Sequence, residues 1–192
     1  TDIETVPGAL GFVGLVRRYK GVETLIDAFA KTKAEFPDAT LRVSGNPSTE
    51  ELATETRRLA DGDPRVEFDL RFLSEGDFAA AMRRCAGVVL PYRFMHNSGA
   101  VLAALSLDRP VLVPRNDVNI ALAEEVGPGW IHLYDGELDA SDLAQYLRLL
   151  DDGVPSVRPN LERREWANTG IQHRDAFDRA IASRARGRAG RR

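Results

Sequence analysis

The sequence predicts an α/β fold, a doubly wound parallel sheet of about six strands with helices on both faces. Three observations predict it. Short apolar runs of strand type alternate regularly with longer stretches whose apolar residues recur at helical spacing. No hairpin signal separates successive strands, so each connection must cross over and the strands must run parallel. Polar and glycine-rich loops then leave the strand ends on one side, at Gly14–Gly21, Gly45–Pro47, Phe72–Ser74, Tyr92–Asn97 and Pro114–Asp117. In Rossmann-like sheets of this kind ligands sit beyond the carboxyl ends of the strands, near a switch in strand order.

Taken in order, Thr1 to Gly8 reads as a linker and Ala9–Leu15 as a first strand, ending at Gly14. Val22 to Phe36 places Leu25, Ile26, Phe29 and Phe36 near helical spacing, and Pro37–Asp38 stops it. Ala39–Ser44 is a second strand, and Ser48 to Leu59 a helix with Ser48 and Glu51 in capping-box register. Arg65–Phe72 alternates as a third strand should; Ser74 and Asp77 have the capping spacing of a helix running through Cys85. Gly87–Leu90 is a continuous apolar strand stopped by Pro91. Asn97, Ser98 and Gly99 then supply a helix start, and Ala100–Leu107 has the composition of a helix lying close to a sheet. Val111–Val113 and Trp130–Tyr134 are the fifth and sixth strands, with a short helix near Ile120–Val126 between them. Helices over Asp139–Leu150 and Asn160–Ser183 complete the domain, residues 9–183, and a basic tail covers 184–192.

Composition narrows the function classes. A chain of 192 residues supports one core, or at most two small ones. A formal charge of -3 gives no footprint for a nucleic-acid partner. No apolar run approaches a membrane span and no secretory signal opens the chain. A single cysteine, Cys85, precludes an internal disulfide framework and reads as a structural, inert thiol; with His96, His132 and His173 far apart, no metal-ligand spacing exists. These features fit a reducing, cytoplasmic setting, with no metal or cofactor required. The linker that leads straight into a strand suggests half of a larger protein.

Two stretches carry candidate chemistry. Gly14-Leu-Val-Arg-Arg-Tyr-Lys-Gly21 places Arg17 and Lys20 in a loop at a strand end, where they could pair with phosphate or form a solvated linker; the residues alone leave both readings open. It is neither a Walker motif nor a dinucleotide fingerprint. In the second stretch, Pro91 to Pro110, a strand empties into a helix start at Asn97–Ser98–Gly99 with Arg93 nearby. Free N–H groups and the positive dipole end suit an anion such as a pyrophosphate.

Both stretches resemble motifs of one family. Gly14, Lys20 and Gly21, followed by Leu25, Ala28 and Phe29, are similar to the G-R-L-x-x-x-K-G motif in the C-terminal domain of GT-B glycosyltransferases of family 4, or group 1. Leu15 stands at the usual arginine, and Arg17 could substitute for it. Pro91 and Pro110 match the two prolines of P-S-x-x-E-G-F-G-L-x-x-x-E-A-x-A-x-G-x-P-V without a gap, and Ala104, Ser106 and Val111 fall in place. Both glutamates are absent: Met95 stands where the resemblance implies a donor-sugar contact and Ala103 where it implies a ribose contact.

The resemblance covers Ala9 to about Leu150. It implies a domain, one half of a GT-B enzyme, that binds a nucleotide-diphosphate sugar through Gly14, Arg17, Lys20, Arg93, Asn97, Ser98 and Gly99. The base would lie near Arg71–Leu73. It further implies transfer of a hexosyl group to a glycan or lipid-linked acceptor held by a separate N-terminal domain. No catalytic residue is assigned. A non-catalytic nucleotide-binding scaffold, or a GT-B epimerase or phosphorylase, stays open.

Several other residues carry weaker expectations. Asp117 and Asn119 could reach a bound sugar, and Glu124–Glu125 could approach it from a helix near the site. His96 reads as a solvated turn residue, and Trp130 and Trp166 read as packing residues. The five arginines between Arg184 and Arg192 could meet anionic lipid headgroups, giving a membrane-peripheral protein, or form a solvated tail.

Overall fold

A computed structural model describes residues 3–60, 62–92 and 99–164. The chain divides into two compact units, residues 1–159 and 160–192. The first unit contains strands β1 (Val6–Val13), β2 (Thr40–Ser44), β3 (Val66–Asp69), β4 (Cys85–Val89), β5 (Val111–Pro114) and β6 (Ile131–Tyr134). Between and after them lie helices α1 (Val22–Ala30), α2 (Glu50–Leu59), α3 (Glu75–Arg84), α4 (Gly99–Ser106), α5 (Asp117–Val126) and α6 (Ala140–Asp151). The described part of the second unit holds one 3-10 turn, Glu162–Arg164. The helix expected from Asn160 onward, Trp166, and the basic tail otherwise lie outside the described residues.

The strands pair in the order β3-β2-β1-β4-β5-β6, and every neighbouring pair is parallel. This is the doubly wound sheet that the alternation of elements predicts. Right-handed crossovers put α1 and α2 on one face and α3, α4 and α5 on the other. Helix α6 packs beside α1. The central strands are therefore buried from both sides, and Leu10, Phe12, Leu41, Val43, Val88 and Val89 are fully enclosed. At Gly87 a Cβ would collide with the Tyr146 hydroxyl, which donates to the Pro110 carbonyl at 2.8 Å, so glycine is what lets α6 approach β4.

Strand β1 begins at Val6, inside the stretch Thr1–Gly8 read as a linker, because Val6 already pairs with Cys85 of β4. Four further boundaries depart from the sequence expectation for identifiable reasons. Helix α1 ends at Ala30 instead of Phe36. The buried Arg65 guanidinium donates to the Phe29 carbonyl at 3.2 Å and the Phe36 carbonyl at 2.9 Å, and the Thr32 hydroxyl adds a bond to Phe29 at 2.7 Å. These side chains take carbonyls that a longer helix would have used. Thr49 caps α2, not Ser48: its hydroxyl accepts from Leu52 N at 3.2 Å, while the Ser48 N–H is committed to the Val16 carbonyl. Strand β3 stops at Asp69, where Arg71 bonds back to Asp69 and forward to Asp77, turning the chain. Ser74 caps α3 as its spacing predicts, but the helix closes at Arg84 and Cys85 opens β4 directly.

Candidate functional site at the strand switch point

Strands β1 and β4 are neighbours, yet β1 connects onward to β2 on one side and β4 to β5 on the other. The crevice between their carboxyl ends is the switch point of the sheet, and the two loops singled out in the sequence border it. They also touch. Gly21 sits in the left-handed region at φ 67° and ψ 26°, and a Cβ there would overlap the Pro91 carbonyl oxygen. Only glycine satisfies both demands, so the end of the β1 loop is docked on the first residue of the β4 loop.

Within the β1 loop, residues Arg18–Lys20 form a 3-10 turn capped by Arg17, whose carbonyl accepts from Lys20 N at 2.9 Å. The three cations then separate by environment. Arg18 turns away, paired with Glu55 at 2.8 Å and Glu23 at 3.9 Å. Lys20 is half-buried, its Nζ 4.8 Å from the centroid of the buried Tyr92 ring. Burial, and after it the Arg17 charge, hold the Lys20 pKa below its ordinary value. Among the described residues no carboxylate forms an ion pair with Arg17 or Lys20. Arg17 is exposed.

Gly14 is held in place by its neighbours. Its N–H donates to the Ser44 carbonyl at 2.9 Å, and a Cβ on Gly45 would overlap its carbonyl oxygen. Its φ of 147° is what favours glycine there, since a Cβ would make only an ordinary contact, 3.5 Å from Lys20 Nζ. The sequence reading brought Gly14, Arg17 and Lys20 together, and they do meet. It did not single out Tyr92 as the platform under Lys20, a contact spanning 72 positions that no local spacing signals.

Helix α4 opens at an exposed Gly99 beyond the end of β4, on the switch-point side. Arg93, Asn97 and Ser98, together with Met95 and His96, lie outside the described residues. At the end of β3 the Arg71 guanidinium is engaged by Asp69 and Asp77, both at 2.9 Å, and Phe72 is 77% exposed.

Other expected participants lie elsewhere. Asn119 is buried in the first turn of α5, donating to the Pro114 carbonyl at 2.7 Å while its N–H bonds to the Asn116 cap. It is a structural cap partner, not a sugar ligand. Glu124 and Glu125 sit about two turns along α5, roughly 10 Å from its start. Trp130 packs as expected, its indole N–H donating to the Val157 carbonyl at 3.0 Å. Burial pushes the Cys85 thiol up to about 11, which fits an inert thiol. Among the described residues no group of three His, Cys, Asp or Glu side chains could hold a metal ion, and no helix is long and apolar enough to cross a membrane.

The family described as Glycosyl transferases group 1 matches residues 7–152. The GDP-mannose:glycolipid 4-beta-D-mannosyltransferase of Xanthomonas campestris pv. campestris is 42% identical over 177 residues, covering 92% of this chain and 50% of the relative. This chain thus spans about half the length of that relative. Among solved structures, the C-terminal domain of a group 1 glycosyl transferase family protein (LpcC) from Francisella tularensis superposes with a TM-score of 0.56 at 20% identity, over 75% of both chains. Anabaena HepE in complex with UDP and glucose gives a TM-score of 0.61 at 20% identity, over 76% of this chain and 39% of that one. Both structures share the fold.

Proposed function

The chain belongs to the group 1 glycosyl transferases, and from that premise we propose that it binds the donor, a nucleotide-diphosphate sugar, at the switch point of its sheet. The observation that carries this reading is the pair of cations, Arg17 and Lys20, that have no carboxylate partner among the described residues, on a loop fixed to Pro91 at the crevice. Leaving a half-buried ammonium without a carboxylate is costly for an unliganded protein. A diphosphate would supply the missing charge. Arg17 would meet it as a fork and Lys20 as a point charge. The start of α4 at Asn97, Ser98 and Gly99 would donate backbone N–H groups, and Arg93 a further charge-assisted bond.

In the proposed reaction an acceptor hydroxyl oxygen bonds to the anomeric carbon and gives up its proton as the bond between that carbon and the diphosphate oxygen breaks, and charge builds on the departing diphosphate. Groups already aimed at that charge stabilise the transition state more than the ground state, so they contribute to rate as well as affinity. The name of the relative at 42% identity supports GDP-mannose as the donor and a glycolipid as the acceptor. Acceptor binding is assigned to a separate domain.

Calorimetric titration with GDP, UDP and ADP, each with and without its sugar, tests the reading. A diphosphate should bind more tightly than its nucleoside, with GDP favoured. No heat and no thermal shift with any of them at millimolar concentration would reject the donor site.

A further inference from the structure

The loop that carries Arg17 and Lys20 has little structure of its own. Its 3-10 turn closes two hydrogen bonds, from Lys20 N to the Arg17 carbonyl at 2.9 Å and from Gly21 N to the Arg18 carbonyl at 3.3 Å. So short a turn, with the poorer bond geometry of a 3-10 helix, does not hold its shape unaided. Neighbouring elements hold it. Before the turn, Val16 bridges to the loop after β2: its N–H donates to the Asn46 carbonyl and its carbonyl accepts from Ser48 N, both at 3.0 Å. After the turn, Gly21 rests on Pro91. Between these two fixed points Arg18 reaches to the helices. One guanidinium nitrogen donates to Glu55 of α2 at 2.8 Å, and another lies 3.9 Å from Glu23 in the first turn of α1. We propose that Arg18 is a positioning residue for the donor site: it meets no phosphate, and through Glu55 it fixes the turn in the orientation that aims Arg17 and Lys20 at the diphosphate. The role rests on the diphosphate reading above.

Charge and geometry both argue for it. Arg17, Arg18 and Lys20 crowd three like charges into four positions, and the Arg17 charge contributes to lowering the Lys20 pKa. Two carboxylates answer Arg18, whereas neither Arg17 nor Lys20 has one among the described residues. Arg18 and Glu55 stand 37 positions apart, so their bond ties the loop to the body of the domain. A loop fixed before its ligand arrives loses less conformational freedom on binding, which raises affinity without any contact to the ligand. The pair is exposed and adds little to global stability, so its effect is confined to the loop. The opposite role, a third phosphate ligand held in reserve on Glu55, predicts the opposite sign. Removing the Glu55 charge would then free Arg18 and tighten binding.

The test measures GDP and guanosine binding by calorimetry on the native chain, on Glu55→Gln and Arg18→Gln, on Arg18→Glu and Glu55→Arg, and on the double variant that exchanges the two charges. Thermal denaturation should place each variant within about 3 °C of the native chain, as expected for an exposed pair. Glu55→Gln and Arg18→Gln should each weaken GDP binding about threefold to fivefold and leave guanosine within about twofold. The exchanged pair should bind GDP more tightly than either Arg18→Glu or Glu55→Arg alone, which a direct contact between Arg18 and phosphate would not allow. Tighter or unchanged GDP binding by Glu55→Gln, equal losses for GDP and guanosine, or no recovery in the exchanged pair would overturn the positioning role while the diphosphate site stands. Failure of the native chain to bind GDP overturns the diphosphate reading, and the positioning role with it.

Discussion

Replacing Lys20 with alanine tests the site where its physical signature is sharpest. The ammonium is half-buried over Tyr92, its pKa is lowered by burial, and among the described residues it has no carboxylate partner. A charge-assisted hydrogen bond to a diphosphate contributes about 1.5–3 kcal/mol net. Its loss therefore weakens nucleotide-diphosphate binding by about 10- to 150-fold. Binding of the bare nucleoside should change by less than about twofold, because no phosphate contact is removed. In the absence of ligand the outcome has the opposite character. Removing a buried charge that no carboxylate compensates should leave the melting temperature unchanged or raise it, whereas a structural ion-pair lysine would lower it. Calorimetry with GDP and guanosine, and thermal denaturation of the unliganded chain, read both effects. Equal losses for GDP and guanosine, or marked destabilisation of the unliganded variant, would refute the argument.

Further outcomes follow from the same geometry. Arg17→Ala, acting on an exposed group, should weaken GDP binding by about fivefold at most at moderate ionic strength, and the loss should shrink as salt is added; a calorimetric salt series checks this. The Lys20 pKa is lowered in the unliganded chain and a bound diphosphate would raise it. GDP affinity should therefore fall as pH rises through the unliganded value below 10.5, and Lys20→Ala should abolish that limb of the profile. Gly21→Ala places a Cβ on the Pro91 carbonyl and strains a left-handed residue, at a cost of at least about 1–3 kcal/mol; urea denaturation measures it, and GDP affinity should fall as the loop undocks. Asp63→Asn breaks the nearly buried pair with Arg65, whose N–O distance is 2.7 Å, at about 3–5 kcal/mol. Hydrogen bonding to Arg65 holds the Asp63 carboxyl below its ordinary value, so its contribution is complete above pH 3.8 and lost as pH falls through the folded value. Acid denaturation of the native chain and the variant should converge there.

How much of this could be read from the sequence depended on the range of each interaction. Element type was legible because periodicity and caps are local: Ser74 caps α3 and Asp139 caps α6, each bonding the backbone within three residues. The identity of the switch point was not, since it depends on β1 pairing β4 across a gap of more than 70 positions. Long-range partners also decided the details. Glu55 removes Arg18 from the cation set, Arg65 ends α1 early, and the bridge between Val16 and Pro47 moves the α2 cap to Thr49. Asn119 was misjudged because an asparagine after a strand end suits a cap and a ligand equally well by spacing. Its burial settles the matter.

The central claim is that the β1 and β4 loops together hold a diphosphate. Amide chemical-shift mapping of the chain with GDP and with guanosine tests it most directly. The shifts caused by GDP but not by guanosine should fall on residues Gly14–Gly21, on Pro91-adjacent Tyr92, and on the start of α4 at Gly99. Phosphate-dependent shifts confined to another region, such as the groove between β6 and α6 lined by His132 and Gln145, would contradict it.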